Sequence, residues 1–367
     1  MNLFMRRVAV AAALVAAGAA NAAIVTAVPG TTLEIKDDAR GAASTNRTAA
    51  ITITSATGAL YFSNGQADPT VLPATKPNSV GGLVGALNVG KVAVTAIDGA
   101  TKDEQSRTVG SLSKVTRTVV GVNAAVTGLT ADTATGAFST VTTRGGATQT
   151  AYYLDGVLDG GIATVNNLSI DLTNTANVKV SGNLVGTALT NGAASAAENP
   201  EYGPQQSYNG VIWDQAKISG PTALPPAELI AAADGDISKL QARGYTLLGT
   251  DSVVVYGQAM TRYTVQANNL ITNLQVTSGA FDAFAGTLGL VEGGTGYNTL
   301  AGVNGTGGWG VMKAAITFQA YEIPILTPPP PPPPPVLEAP EPETWAMSAL
   351  GLLGLAWAGK RRAGRPG

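Results

Sequence analysis

Short runs of β-branched residues, alternating apolar with polar and parted by Gly, Asn or Asp, recur from residue 49 to residue 321. This period of two constrains the fold more than any other feature. Successive side chains of a strand point to opposite faces, so alternation buries one face and wets the other. Ile51-Thr52-Ile53-Thr54 shows it at the end of a run from Ala49, and Ala59 to Phe62 follows after a Thr57-Gly58 turn. In Lys91 to Ile97, Val92, Val94 and Ala96 share a face. Further strands are expected at 115–122, 137–143, 150–154, 164–172, 177–184, 210–218, 245–248, 252–256, 261–274 and 311–321, with Asn268-Asn269 able to break the longest. No stretch alternates strand with helix, which argues against a parallel α/β sheet. The pattern predicts an all-β, antiparallel β-sandwich or jelly-roll-like body, a barrel being the related solution.

Helices are few. One region follows Pro225-Pro226, at Ala227 to Ala233, and resumes from Asp236 to Ala242. A second spans Gly279 to Leu290, capped by Thr277 or Ser278. Its Phe281, Phe284 and Leu288 fall at i, i+3 and i+7, an apolar stripe suited to covering a sheet. Asn166 to Leu172 echoes Asn268 to Leu274, so the body can be read as one module or as two, with a boundary near 190–207.

What is missing narrows the chemistry. The 367 residues contain no Cys and no His. Thiolate zinc sites, iron–sulfur clusters and cysteine nucleophiles are excluded. So are a Ser-His-Asp triad, a His-based zinc site and a His-ligated haem. Carboxylate chemistry, a Ser–Lys pair and a Tyr-ligated cofactor survive. Acidic residues outnumber basic ones 24 to 22 over the whole chain, and more clearly so once the basic termini are set aside. No basic patch is visible, so nucleic acid is not expected as a partner.

The remaining motifs are weak. Gly85 to Lys91 has the spacing of a phosphate-binding loop, but Val92 stands where a Ser or Thr should hold magnesium. It reads as a glycine turn leading into a strand. Ser111-Leu112-Ser113-Lys114 fits the serine–lysine pattern without its partner motifs. Asp155, Asp159, Asp234 and Asp236 begin calcium-loop patterns that none of them completes. Gly305 to Gly310 fits G-x-G-x-x-G, yet it sits before a strand in a glycine-rich stretch, so it reads as a loop. Exposure of that loop, with Trp309 in it, would make it a binding loop. Sugar binding would lean on Trp213, Trp309 and the ten tyrosines.

The two ends read as addresses. Arg6 and Arg7, an apolar run from Val8 to Ala17 and the small-x-small site Ala20-Asn21-Ala22 make residues 1–22 a signal peptide, with Ala23 the expected mature N-terminus. Near the other end eight prolines, Pro328 to Pro335, force extended polyproline II over a linker at 328–337. At about 3.1 Å per residue that run is a semi-rigid spacer of roughly 25 Å. Pro340-Glu341-Pro342 follows, then an apolar segment at 345–359 with Trp345 and Trp357 near its ends, then Lys360, Arg361 and Arg362. Lys and Arg collect on the cytoplasmic side of a membrane, so this cluster would act as a stop.

Motif, apolar segment and basic end together resemble the PEP-CTERM sorting signal, here residues 338–367. The resemblance implies an exported protein of a Gram-negative bacterium. It would be cleaved by signal peptidase and held in the inner membrane until exosortase processes it, then released to the cell surface or outside. It further implies hosts that make exopolysaccharide. The expected role of the body, residues 23–327, is a non-enzymatic surface or matrix protein without metal or cofactor, associated with that polymer. The alternatives are a module binding carbohydrate, ice or haem, and a glycosidase working through two carboxylates.

Overall fold

The computed structural model describes residues 24–27, 29–30, 32–36, 48–66, 68–72, 80–109, 114–132 and 135–323. The signal-peptide residues Ala20 and Ala22, the polyproline run, Pro340, Glu341, Pro342 and Lys360 to Arg362 lie outside them. The described residues all belong to one compact unit, which ends at Ile325.

Its strands are β1 (Ile24–Ala27), β2 (Thr32–Lys36), β3 (Thr48–Phe62), β4 (Ala93–Ile97), β5 (Thr101–Val109), β6 (Lys114–Asp132), β7 (Phe138–Arg144), β8 (Gly146–Ala151), β9 (Gly161–Asp171), β10 (Val178–Ala188), β11 (Gln206–Ser219), β12 (Tyr245–Val255), β13 (Gln258–Thr272), β14 (Gln275–Val276) and β15 (Gly310–Ile323). The helices are α1 (Gly82–Val89), α2 (Pro226–Ala233), α3 (Ser238–Ala242), α4 (Ser278–Thr287) and α5 (Thr295–Gly305). The body is mostly β, and all the strand pairings are antiparallel, as the alternation requires.

The layer arrangement departs from the expected sandwich or jelly roll. Eight strands close a ring in the order β6-β3-β15-β13-β11-β10-β9-β7 and back to β6. Strand β6 makes the closure possible, because its length lets both of its edges be used. One edge takes β3 through Gly121–Ala125, and the other takes β7 through Ala125–Ala131. Strand β7 then meets β9 at Val141 and Ile170. A closed ring leaves no open edge among its staves, which a sandwich cannot achieve. Inward residues such as Val122, Val126, Val165, Ile271 and Phe318 are buried together in one core.

Helix α4 packs over β9, β10 and β11. Phe281, Phe284 and Leu288 are all buried, so the apolar stripe covers the sheet as its spacing predicts. The α4 N-cap is Thr277, whose Oγ1 donates to the Val211 carbonyl at 2.7 Å instead of capping the helix.

Several boundaries moved for identifiable reasons. Thr57-Gly58 does not turn: β3 runs through it, paired with Ala124 and Ala125 of β6 and with Ala314 and Ala315 of β15. Likewise β13 continues through Asn268-Asn269, and 245–256 is a single strand but for its last residue. Strand β5 carries Lys102, Asp103, Glu104 and Arg107 and was not expected; it is largely exposed and lies outside the closed ring, so alternation was not required of it.

Glycines concealed two helices. The Gly85–Lys91 pattern lies on α1 and the turn after it, and strand β4 follows the helix, the reverse of a phosphate-binding loop. Arg117 of β6 ties that helix end down. Its guanidinium donates to the Leu87 carbonyl at 2.8 Å, the Val92 carbonyl at 2.7 Å and Asn88 Oδ1 at 3.0 Å. Burial draws the Arg117 pKa below its ordinary value, and Glu104 opposes the shift.

The stretch before Trp309 forms α5, with Gly305 as its last residue. Trp309 lies in the turn between α5 and β15 and is 3 % exposed, so the exposure that would make this a binding loop is missing. Its ring lies 5.1 Å from that of Phe284 and 6.4 Å from that of Phe281, so aromatic packing draws the loop inward. Of the serine–lysine pattern only Lys114 falls within the described residues, at the start of β6. The two echoing segments lie mostly on β9 and β13, staves of the same ring, and the 189–205 connection joins the paired strands β10 and β11.

Candidate functional site

Four adjacent staves, β6, β3, β15 and β13, present a shallow saddle on the outside of the barrel, with polar side chains set among small apolar ones. Register sets its composition. One row across the strands reads Asn123, Ala59, Lys313, Leu270; the next reads Ala125, Thr57, Ala315, Asn268. Small residues form the floor and longer ones the walls of a pocket of about 450 Å³. The side-chain amides of Asn123 and Asn268 make no hydrogen bond to another described residue.

Tyr61 anchors one end of the saddle. It pairs across the β3–β6 ladder with Gly121, which leaves room for its ring. Its hydroxyl donates to Asp103 Oδ2 at 2.9 Å. Burial, followed by that carboxylate, pushes the phenol pKa up to about 12. Lys313 Nζ lies 5.6 Å from the centre of the Tyr61 ring and 2.9 Å from Asp68 Oδ1. Hydrogen bonds from Thr70, with Lys313 helping, pull Asp68 down to about 2. The cluster therefore carries a net negative charge: one ammonium faces two carboxylates, and the phenol bonded to Asp103 stays neutral.

Among the described residues no group of three acidic side chains is placed to hold a metal ion. Asp155 accepts from the Tyr153 hydroxyl at 3.1 Å and Asp236 from the Ser238 hydroxyl, which is the ordinary work of turn aspartates. Trp213 and Trp309 both line the barrel cavity instead of the surface. The saddle, with Tyr61 as its aromatic, was not singled out from sequence. Gly121 within Val119-Val120-Gly121-Val122 was its available signal, because a strand-interior glycine marks a close approach.

Residues 338–362 match the family model described as the PEP-CTERM protein-sorting motif. The chain carries a PEP-CTERM sorting signal. The match contains Pro340, Glu341 and Pro342 and reaches Arg362. No curated protein and no solved structure matches the chain. A PEP-CTERM signal implies export and exosortase processing at the membrane. Among the described residues no helix is long and apolar enough to cross a membrane.

Proposed function

We propose that this PEP-CTERM protein is a non-enzymatic component of the cell surface or extracellular matrix, whose barrel associates with exopolysaccharide through the outer saddle. The sorting motif at residues 338–362 carries the reading. It delivers the body to the compartment where the polymer is. Residues 1–22 direct export, Ala20 and Ala22 stand just before the signal-peptidase cut that leaves Ala23 first, and the apolar segment at 345–359 holds the chain until exosortase acts.

Three observations favour binding over catalysis. The chain has no His and no Cys. The carboxyl groups of Asp68, Asp171 and Asp251 have pKa values displaced downward, toward anions. A glycosidase needs one carboxyl held upward as a general acid. Finally, the uncommitted amides of Asn123 and Asn268 flank a floor of Ala and Thr, a surface suited to neutral sugar hydroxyls.

Replacing Pro340-Glu341-Pro342 with three alanines tests the sorting half. The variant should accumulate at full length in the inner membrane, whereas the parent is processed and leaves it. Fractionation with an antibody to the body reads the outcome, and normal release of the variant would overturn the reading. The polymer half is tested by co-sedimentation with host exopolysaccharide. Asn123→Leu with Asn268→Leu should reduce the bound fraction several-fold while release stays normal.

A further inference from the structure

The barrel interior holds a cavity with room for water centres over about 80 Å³. Its walls are almost wholly apolar, with Val122, Val126, Val141, Ile170 and Met312 among them. A second cavity of about 60 Å³ lies between α1 and α5. Gln149 and Trp309 line both, and so form the partition between them.

Gln149 sits on β8, in register with Val94 of β4 and Ala163 of β9. It is 6 % exposed, and its side-chain amide has no hydrogen-bond partner among the described residues. Two further donors near it are fully enclosed, whereas the Gln149 amide is not. The indole Nε1 atoms of Trp213 and Trp309 are buried without an acceptor, and both rings line the barrel cavity. Native interiors pair nearly all such groups, so two enclosed indole donors beside an unbonded amide on one cavity need an explanation. Among the described lining residues only Lys313 is ionisable, and its ammonium is engaged by Asp68. A charged occupant would therefore be left uncompensated.

We propose that the barrel interior binds a small, uncharged, mainly apolar molecule bearing one hydroxyl or carbonyl group, with Gln149 as its polar anchor. The hydrocarbon part replaces empty space against the valines and Met312. The polar group takes the Gln149 amide, which can both donate and accept. Pockets of this kind combine an apolar lining with a few fixed polar groups that set orientation. This site is separate from the outer saddle, and it stands or falls independently of polymer binding.

The probes are 4-fluorophenol and 4-fluorotoluene, similar in shape and different in one hydroxyl, titrated into the full-length protein and followed by fluorine NMR. Both should saturate a single site, with the phenol tighter by roughly tenfold, because the analogue leaves the buried amide unpaired. Contacts from bound 4-fluorophenol to the Met312 methyl place it inside. Gln149→Leu should erase the preference, and Val141→Phe should block both probes by filling the space. Failure of both probes to saturate the parent protein would reduce the cavity to a packing void that holds water only. Contacts only to saddle residues, or an undiminished preference in a folded Gln149→Leu variant, would equally overturn the proposal.

Discussion

Gly121 stands directly across the β3–β6 ladder from Tyr61, and the phenol ring occupies the space that a Cβ at Gly121 would need. A methyl there would lie 2.4 Å from Tyr61 Cδ1 and 2.6 Å from Cε1. The glycine leaves a gap in the strand surface, and the aromatic ring fills it. The ring then places its hydroxyl on Asp103 of β5 and its face beneath Lys313 of β15. One missing side chain thus joins four strands at the rim of the saddle.

Gly121→Ala should destabilise the barrel by about 1–3 kcal/mol, the usual cost of forcing extra volume into a packed site. The penalty should shrink in a Tyr61→Ala background, because the clashing ring is gone. Urea unfolding of the two single variants and the double variant supplies the cycle. Equal penalties in both backgrounds would show that the ring is not what excludes the methyl.

The raised Tyr61 pKa makes a prediction at alkaline pH. Burial and Asp103 favour the protonated phenol in the folded state, so its pKa rises from 10.0 to about 12. The stabilisation is fully present below pH 10 and is lost as pH rises through about 12, where the folded form also ionises. Tyr153 and Tyr202 are also raised, so the comparison must isolate Tyr61. The stability advantage of the parent over Tyr61→Phe should therefore narrow between pH 10 and pH 12. A constant difference across that range would rule out Tyr61 as the titrating group.

Arg117 should not be replaceable by Lys. Its planar guanidinium reaches the carbonyls of Leu87 and Val92 and the Asn88 side chain at once, fastening the end of α1 to β6. An ammonium keeps the charge but cannot reproduce that fork. Arg117→Lys is expected to cost about 1–2 kcal/mol by leaving carbonyl groups unpaired. Hydrogen exchange should quicken in α1 while the distant β13–β15 ladder keeps its protection.

How much of this was legible follows from which interactions are local. Strands β9 and β10 and helix α4 carry a face that must be buried, and their periodicity records it. Strand β5 hides because it is largely exposed and its charged residues need no buried face. Helices α1 and α5 hide because glycine has poor intrinsic helix propensity, and tertiary packing of Leu83, Leu87 and Leu300 overrides it. The burial of Trp309 leaves no local trace either, since its partners Phe281 and Phe284 sit on another element. The strand pattern allowed a barrel beside a sandwich but could not choose between them. Closure depends on which edge of β6 takes β3 and which takes β7, a matter of long-range register that leaves no periodic trace. The sorting signal was legible because exosortase must read it as sequence.

That closure also predicts where the barrel opens. Ladder β7–β9 has three register pairs and β11–β13 has three, whereas β3–β15 has fourteen. Local opening should follow the short ladders, because fewer interactions must break together. Amides of Val141 and Ile170 at the β7–β9 seam should therefore exchange faster than those of Ile316 and Phe318 in β15. Both seam residues also line the barrel cavity, so the easiest opening of the ring exposes the interior. Native-state hydrogen exchange resolves this residue by residue. If the seam amides exchange only as slowly as β15, the ring opens by global unfolding alone, and the seam is no route to the interior.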